Sequence, residues 1–246
     1  MCDFISAMDT ERVQEWNCWY HLLNCGFPLK VSGETDFPCV TDSRVGQGRV
    51  YAHLGKVERV EYGAWCEAIR KGRSYVSDGY AHALEFTVDG QAPGHDDVAL
   101  ARKGRVTAKA KVAFAAETPL GTSAFAILLP GKTRMVELVV NGLPVARREV
   151  PADDRVHEVS FEVPIERSSW VALRHFPQLH TNPVNVLVGG QPIRASRKSA
   201  LWCIGTIEQL WRIRHSWIAA SERKEAKRTF DRAVERYRTI AAESAQ

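Results

Sequence analysis

The sequence has no long apolar run, and this absence limits the classes of protein to which it can belong. Among its 246 residues no stretch approaches the length that a membrane-spanning helix needs, which is roughly 18 to 20 apolar residues. The first residues, MCDFISAMDTERVQEW, include acidic side chains and no apolar core of the kind found in secretory signals. We therefore expect no membrane association. If Met1 is the true start, nothing in this chain directs export, and its cellular location stays open.

Several catalytic and nucleotide-binding motifs are also missing. The chain has no Gly-x-Ser-x-Gly sequence of a nucleophile elbow, and it has neither a phosphate-binding loop nor a dinucleotide-binding fingerprint. Its six cysteines show no Cys-x-x-Cys spacing, and five of them fall within the first 66 residues. This spacing disfavours a zinc cluster and favours reduced, partly buried thiols.

The charge is only mildly positive, with a formal excess of +4. Much of the excess lies in one C-terminal segment, SERKEAKRTFDRAVERYR, whose apolar residues recur at helical spacing. This pattern predicts an amphipathic helix with its basic residues in water. Nucleic-acid binding calls for basic residues interleaved with stacking aromatics, which this helix lacks, so we expect no nucleic-acid partner.

In the first third of the chain, the spacing of apolar residues and glycines predicts alternating helices and strands. Residues 10 to 25 have apolar residues at helical intervals and end at a glycine. A short strand, FPLKVSG, follows at 27 to 33, and a second strand is predicted at RVYAHL. The segment YGAWCEAIRK, residues 62 to 71, predicts a helix that Gly72 closes.

From about residue 82 the pattern changes to short β-branched segments separated by glycine, proline and asparagine. These segments predict an antiparallel β-sandwich, with a tight hairpin at Asn141-Gly142. Residues 199 to 219 return to helical spacing, and two terminal helices, separate or continuous, are expected. Three tryptophans in the first of them favour core packing over an aromatic binding surface. We therefore predict an α+β protein with units at 1–80, 81–196 and 197–246.

Carboxylates crowd the loop that follows the strand at 27 to 33. Glu34, Asp36 and Asp42 come directly after it in the sequence VSGETDFPCVTDSR. Carboxylates in such a group repel one another unless a cation, a helix N-terminus or water relieves them. The loop is therefore a candidate ligand site.

Several phrases, taken in their order, resemble a known family. They are YHLLNCGFPLKVSGETDFP, GRVYAHLG, AWCEAIRKGRSYVSDG, SSWVALRHFPQLHTNPVNVLVGGQPIRAS and the final helical pair. Over roughly residues 15 to 240 the chain is similar to the C-terminal portion of the carbaryl-hydrolase-like (CehA/McbA) branch of the PHP-domain metallohydrolases.

The resemblance implies the last β/α unit or units of a PHP-type barrel, followed by the antiparallel β-sandwich and the C-terminal helices. It implies that Asp36, with Glu34, reaches a cluster of divalent zinc, manganese or iron ions at the barrel rim. It also implies hydrolysis of an ester, carbamate or phosphoester bond in a small-molecule substrate by a metal-bound hydroxide. Arg44, Arg49 and His180 are then the expected substrate or transition-state contacts.

Two departures from the family pattern bear on activity. The position two residues after Asp36, where the family usually has a histidine, is Pro38, and the His-x-His pair of the family's first strand is absent. The first barrel strands are therefore expected to be missing. Either the chain is a fragment of a longer enzyme, or a partner chain supplies the missing barrel half. In both cases we expect little activity from this chain alone, a metal site that is incomplete or absent, and an unpaired barrel edge.

Each candidate residue also has a structural interpretation. Asp36 could form an Asx-turn or a helix N-cap. Arg44 and Arg49, which bracket the glycines of VGQGR, could form surface salt bridges instead of binding an anionic substrate. His180, in LHTNP, could cap a strand end instead of acting as a ligand or general acid. For the whole chain the alternative function is a noncatalytic β-sandwich module that binds carbohydrate or protein, and exposed aromatics on one sandwich face would favour it.

Overall fold

The computed structural model describes residues 2–8, 11–35, 45–117 and 131–244. Helices and strands occur in the following order: β1 (Phe4–Ala7), α1 (Arg12–Asn24), β2 (Lys30–Gly33), β3 (Arg49–Ala52), α2 (Tyr62–Lys71), β4 (Ser74–Ser77), β5 (Ala81–Val88), β6 (Val98–Leu100), β7 (Gly104–Phe114), β8 (Thr133–Val140), β9 (Leu143–Pro151), β10 (Val156–Ile165), β11 (Ser169–His175), β12 (Leu179–Thr181), β13 (Val184–Val188), α3 (Arg197–Arg214), a 3-10 turn (His215–Trp217) and α4 (Arg223–Glu243).

The strands form three sheets. β1 and β2 make a parallel pair, and β10, β7 and β5 make a three-stranded antiparallel sheet in that order. The largest sheet has eight strands: β3, β4, β12, β11, β13 and β6 follow one another, and β8 joins β11 to β9. Only β13 and β6 pair in parallel within it. The prediction of an α+β protein with a mainly antiparallel body and C-terminal helices is thus confirmed.

The main core lies between the three-stranded and eight-stranded sheets. Val112 and Phe114 of β7 belong to the same buried cluster as Leu138 of β8 and Leu173 of β11. These four side chains are 1% exposed or less. Alternation of buried and exposed residues along β10 shows why the segment forms a strand with one face in this core. The two sheets therefore pack face to face as a sandwich.

α1 covers the opposite face of the eight-stranded sheet. Its Trp19 and Tyr20 share a second buried cluster with Trp170 and Ala172 of β11 and with Val31 of β2. Burial of three large aromatic side chains supplies much of the apolar area in this layer. α1 and the parallel pair are thereby fixed against the sandwich.

One asparagine connects the parallel pair to the large sheet. Asn182 is 1% exposed, and its Oδ1 accepts a hydrogen bond from the amide of Val31 over 3.0 Å. Its Nδ2 donates to the carbonyl oxygen of Ser74 over 3.1 Å. A side-chain amide therefore takes the place of a backbone ladder between β2 and β4.

Local signals located two elements correctly. α2 spans Tyr62–Lys71 and ends at Gly72, whose φ of 78° is the left-handed conformation that glycine adopts readily. The β8–β9 hairpin turns at Asn141 and Gly142, with φ values of 52° and 89°. Two positive φ angles in succession are typical of a type I′ turn.

The C-terminal segment folds as two separate helices, so the alternative of one continuous helix is wrong. A 3-10 turn at His215–Trp217 ends α3, and Ile218 then adopts an extended conformation. Cys25, at the end of α1, and Cys203, on α3, join a small buried cluster with Ile240 of α4. A hydrogen bond between the two thiols raises the pKa of Cys25 and lowers that of Cys203. The described cysteines are all free thiols.

Strands from both sides of residue 80 share the large sheet, since β3 and β4 lie in it beside β12. The boundary expected at that residue stays a prediction. Within the described ranges no strand pairs with the outer edge of β1. In the same ranges, no helix is long and apolar enough to cross a membrane.

Candidate functional site

The carboxyl ends of β1 and β2 lie side by side and carry the first polar group of the candidate site. Ala7 pairs with Gly33, and the amide of Glu34 donates to the carbonyl oxygen of Ala7 over 3.0 Å. Ser6 Oγ donates to Glu34 Oε2 over 2.7 Å. Ligand sites of α/β units lie at this edge, outside the carboxyl ends of parallel strands. Glu34 thus lies at the carboxyl edge of this parallel pair, with one oxygen engaged by a serine.

The loop before β3 packs closely against this edge because it has a glycine at the contact. A Cβ on Gly48 would lie 1.9 Å from the carbonyl oxygen of Glu34 and 2.8 Å from Met8 Cβ. Thr35 Oγ1 donates to the carbonyl oxygen of Gly48 over 3.0 Å. In the same loop Gln47 is 5% exposed, and its Oε1 has no hydrogen-bond partner in the described part of the chain. A buried acceptor without a partner is uncommon in folded proteins, so this loop has an unused polar group to offer.

α1 begins beside the same strand ends and brings a buried cation. Glu15 Oε2 accepts a hydrogen bond from the amide of Met8 over 2.8 Å. Arg12 is 7% exposed, and its Nη1 donates to the carbonyl oxygen of Pro177 over 2.9 Å. Burial lowers the pKa of Arg12, whereas the carboxylates of Asp78 and Glu15 act in the opposite direction. The negative charge of these two carboxylates offsets part of the cost of burying the guanidinium.

The turn between β11 and β12 completes this group. Gln178 Nε2 donates to Asp78 Oδ2 over 2.7 Å, and the Phe176 ring packs edge-on against Trp16 at 5.4 Å between centroids. Arg12 Nε, Trp16 Nε1 and Gln178 Oε1 are buried and lack a hydrogen-bond partner among the residues described. Arg12 and Trp16 are one helical turn apart, and both contact this turn. We call Arg12, Trp16, Asp78 and Gln178 the polar cluster; it encloses two donors and one acceptor that lack a partner among the described residues.

Arg49 stabilises its own loop. Its Nε donates to the carbonyl oxygen of Gly46 over 2.5 Å, and its Nη1 donates to the hydroxyl of Tyr51 over 3.3 Å. A Cβ on Gly79 would lie 2.6 Å from Nη1, so the guanidinium packs against the turn that follows β4. No carboxylate of the described residues lies within 4.0 Å of Arg49. Among the described residues, its guanidinium therefore has carbonyl and hydroxyl partners but no carboxylate.

His180 lies inside the protein and not in a position that presents its ring to a cavity. It is 0% exposed, with its Nδ1 2.7 Å from the carbonyl oxygen of Thr181 and its Nε2 2.5 Å from the Tyr20 hydroxyl. A carbonyl only accepts, so Nδ1 carries the proton and Nε2 accepts from the tyrosine. Burial lowers the pKa of His180 to about 3. A neutral imidazole with both nitrogens engaged has none left for a metal or a substrate.

Further contacts extend from the tyrosine. Arg174 Nη1 donates to the hydroxyl of Tyr20 over 3.1 Å, and Arg174 Nε donates to Glu137 Oε2 over 2.7 Å. Burial raises the pKa of Tyr20 to about 12. A chain of hydrogen bonds thus runs from Glu137 through Arg174 and Tyr20 to His180. It connects α1 with β8, β11 and β12.

Two predicted site residues, Asp36 and Arg44, lie outside the described residues. Within the described ranges, no three side chains of His, Cys, Asp or Glu come together as a metal-binding group. Glu34 offers the oxygen donor that a hard divalent cation prefers. The described donors are nevertheless too few to hold a metal by themselves.

Sequence reasoning missed the polar cluster. Its members are far apart in the chain, since the contact between Arg12 and Pro177 joins residues separated by 165 positions. In the sequence Arg12 has the pattern of an exposed residue in the first turn of a helix. Only the burial of its guanidinium, with Nε left without a partner among the described residues, marks it as a candidate.

Comparisons of the chain with family models, with curated proteins and with solved structures gave no match.

Proposed function

We propose that this chain forms the closing part of a metal-dependent hydrolase that acts on ester, carbamate or phosphoester bonds. One observation carries the proposal: a parallel β1–α1–β2 unit whose carboxyl edge presents Glu34 and whose outer edge, on β1, has no strand partner among the described residues. An unpaired parallel edge is the place where further strands of a PHP-type barrel would add. A strand edge with unpaired N–H and C=O groups is a template for pairing with another strand.

The metal ligands are shared between this chain and the strands that complete the barrel. Glu34 lies at the rim, and Asp36 follows two residues later. The residues described do not suffice to bind zinc, manganese or iron, so the chain alone is expected to be inactive. The remaining ligands come from the missing barrel half, in the same polypeptide or in a second chain.

The polar cluster is proposed to act on the substrate through its positive charge, since its unpartnered polar atoms are enclosed by the protein. Arg12, Trp16 and Gln178 have polar atoms without partners, and Arg12 lies beside the strand ends through Glu15 and Met8. A guanidinium held in a region of low polarity stabilises developing negative charge more strongly than one in water. Arg12 therefore replaces His180 in this role, because His180 is neutral and both of its nitrogens are occupied.

The first test measures metal content and hydrolysis of p-nitrophenyl acetate and p-nitrophenyl phosphate by the purified chain. We expect no stoichiometric metal and no turnover. The second test expresses the chain with the in-frame segment read from the nucleotide sequence upstream of Met1, which is expected to encode a His-x-His pair. This longer protein should bind metal and hydrolyse one of the esters.

Substitution connects that activity to this chain. Asp36→Ala with Glu34→Gln should abolish metal binding in the longer protein, whereas Glu158→Ala, an exposed carboxylate on β10, should leave it intact. Tight metal binding and turnover by the short chain would overturn the proposal. A longer protein whose metal content is unchanged by the substitutions at Asp36 and Glu34 would also overturn it.

Noncatalytic binding of a protein is the second candidate, and the C-terminal helices favour it. Along α3 and its 3-10 turn, Leu210, Ile213 and Trp217 are 46%, 51% and 75% exposed. By contrast, the exposed large aromatics of the described residues all lie outside the sandwich strands, so carbohydrate stacking on a sandwich face has no support. A partner that binds through Trp217 and is indifferent to Glu34 would favour this candidate.

A further inference from the structure

The two sheets of the sandwich separate where β3 and β5 form their edges, and a cleft of about 480 Å³ lies between them. Pockets for small molecules commonly measure about 300–1,000 Å³. The cleft belongs to the β3–β5 edge of the sandwich, whereas the candidate hydrolytic site lies at the carboxyl ends of β1 and β2. A ligand here is therefore independent of the proposed hydrolase function.

The inner walls of the cleft are apolar and partly flat. Ala83 and Phe86 of β5 line it and are 4% and 5% exposed. Tyr51 and Tyr75, paired across β3 and β4, stack with their ring centroids 5.0 Å apart and an interplanar angle of 7°. Aromatic rings pack favourably against such surfaces. The shape and chemistry of the walls fit a small planar ring.

A β-bulge brings an apolar side chain to the rim. The register of β5 against β7 shifts between Ala83 and Glu85, so Leu84 is the extra residue. Leu84 lines the cleft and is 49% exposed. Bulges commonly redirect a side chain next to a site. A ligand in the cleft would cover this leucine.

The charge at the rim is positive. Arg73 lines the cleft, and its Nε donates to the carbonyl oxygen of Gly94 over 3.3 Å. No carboxylate of the described residues pairs with Arg73, whereas Glu85, the acidic residue in the lining, pairs with Lys111 over 3.0 Å. The guanidinium has further N–H donors in the geometry that suits a carboxylate. The rim therefore selects an anion over a cation.

We propose that this cleft binds a small planar aromatic carboxylate. The ring packs against Tyr75, Ala83 and Phe86 under Leu84, and the carboxylate pairs with Arg73. Acetate lacks the ring, benzamide lacks the charge, and benzylamine has the opposite charge. These three compounds therefore test separately whether binding needs the aromatic ring and whether it needs the negative charge.

The test is calorimetric titration of the full chain with benzoate, phenylacetate and indole-3-acetate, with acetate, benzamide and benzylamine as comparisons. We expect at least one aromatic carboxylate to bind and to perturb the amide NMR signals of Tyr75 and Ala83. Arg73→Gln should weaken that binding by about 10- to 100-fold, the usual effect of losing a charged hydrogen bond. Arg102→Gln, an exposed arginine outside the cleft lining, should leave it unchanged.

A second variant tests the proposal if Arg73→Gln does not fold. Leu84→Asp places a carboxylate at the exposed rim without altering the buried walls, and it should weaken binding of the carboxylate while binding of benzylamine stays the same or improves. The proposal is overturned if no aromatic carboxylate binds at millimolar concentration. It is equally overturned if benzamide binds as well as benzoate, or if neither variant changes the affinity.

Discussion

The hydroxyl of Tyr20 lies 2.5 Å from Nε2 of His180, and this contact joins α1 to β12 in the interior. Tyr20 also accepts a hydrogen bond from Arg174. Replacement of Tyr20 by phenylalanine leaves the buried imidazole nitrogen of His180 without its partner and removes one of the hydrogen bonds of Arg174, which keeps its ion pair with Glu137. A buried polar group without a partner costs about 1–3 kcal/mol, so Tyr20→Phe should lower the free energy of unfolding by about that amount in a urea titration. Tyr62→Phe, on an exposed ring, is the control and should have no effect.

His180 should make the protein sensitive to acid. Burial lowers its pKa from the ordinary value of 6.5 to about 3 in the fold. Between about pH 6.5 and pH 3, His180 is therefore protonated in the unfolded chain and neutral in the folded chain. Stability is therefore complete above pH 6.5 and falls as the pH drops toward 3. Between pH 7 and pH 5 the expected loss is about 2 kcal/mol from this residue.

Urea unfolding at both pH values checks this expectation. His180→Gln should flatten the pH dependence, and His95→Gln, an exposed histidine, should not. If His180→Gln does not fold, NMR of the unmodified protein decides the matter. An imidazole of His180 that titrates near pH 6.5 would contradict the assigned burial.

Gly48 should tolerate no side chain. A Cβ there would lie 1.9 Å from the carbonyl oxygen of Glu34, so Gly48→Ala must displace the backbone at the strand ends. We expect a loss of about 1–3 kcal/mol, as for overpacking in general. Gly205, inside α3, has open space where its Cβ would be, and Gly205→Ala should gain about 0.5–1 kcal/mol because alanine favours helix. Thermal unfolding of the two variants should shift in opposite directions; equal shifts would refute the close approach.

Ser196 should be important for the start of α3. Its side chain accepts a hydrogen bond from the amide of Ser199 over 3.2 Å, so it caps the helix. Ser196→Ala should cost about 1 kcal/mol of stability. Ser196→Asp retains an acceptor and should restore it, and the comparison by urea unfolding distinguishes a lost cap from a general effect of substitution.

The parts of the fold that depend on neighbouring residues were predictable. The helix at Tyr62–Lys71 and the hairpin at Asn141-Gly142 follow from spacing, a terminal glycine and turn chemistry, and all of these signals are local. β1 was not predicted, because four residues, FISA, carry little pattern. That strand exists through its parallel pairing with Lys30–Gly33.

The candidate site was predictable only at Glu34, which follows directly from the end of a strand. The polar cluster depends on contacts between Arg12 and the turn near Pro177, and no local spacing encodes them. His180 was expected to contact the substrate because its sequence neighbourhood predicts a turn. Its environment is instead decided by Trp16, Trp19 and Tyr20, whose rings surround the imidazole. Tertiary packing overrode the local signal there.

The amide of Asn182 has a mechanical consequence. Its two ends hold Val31, next to the rim that bears Glu34, and Ser74, which lines the cleft beside Arg73. A displacement of Ser74 therefore either displaces Val31 as well or breaks one of these two hydrogen bonds. The Asn182 side chain therefore links the strand that ends just before Glu34 with the strand that borders the cleft.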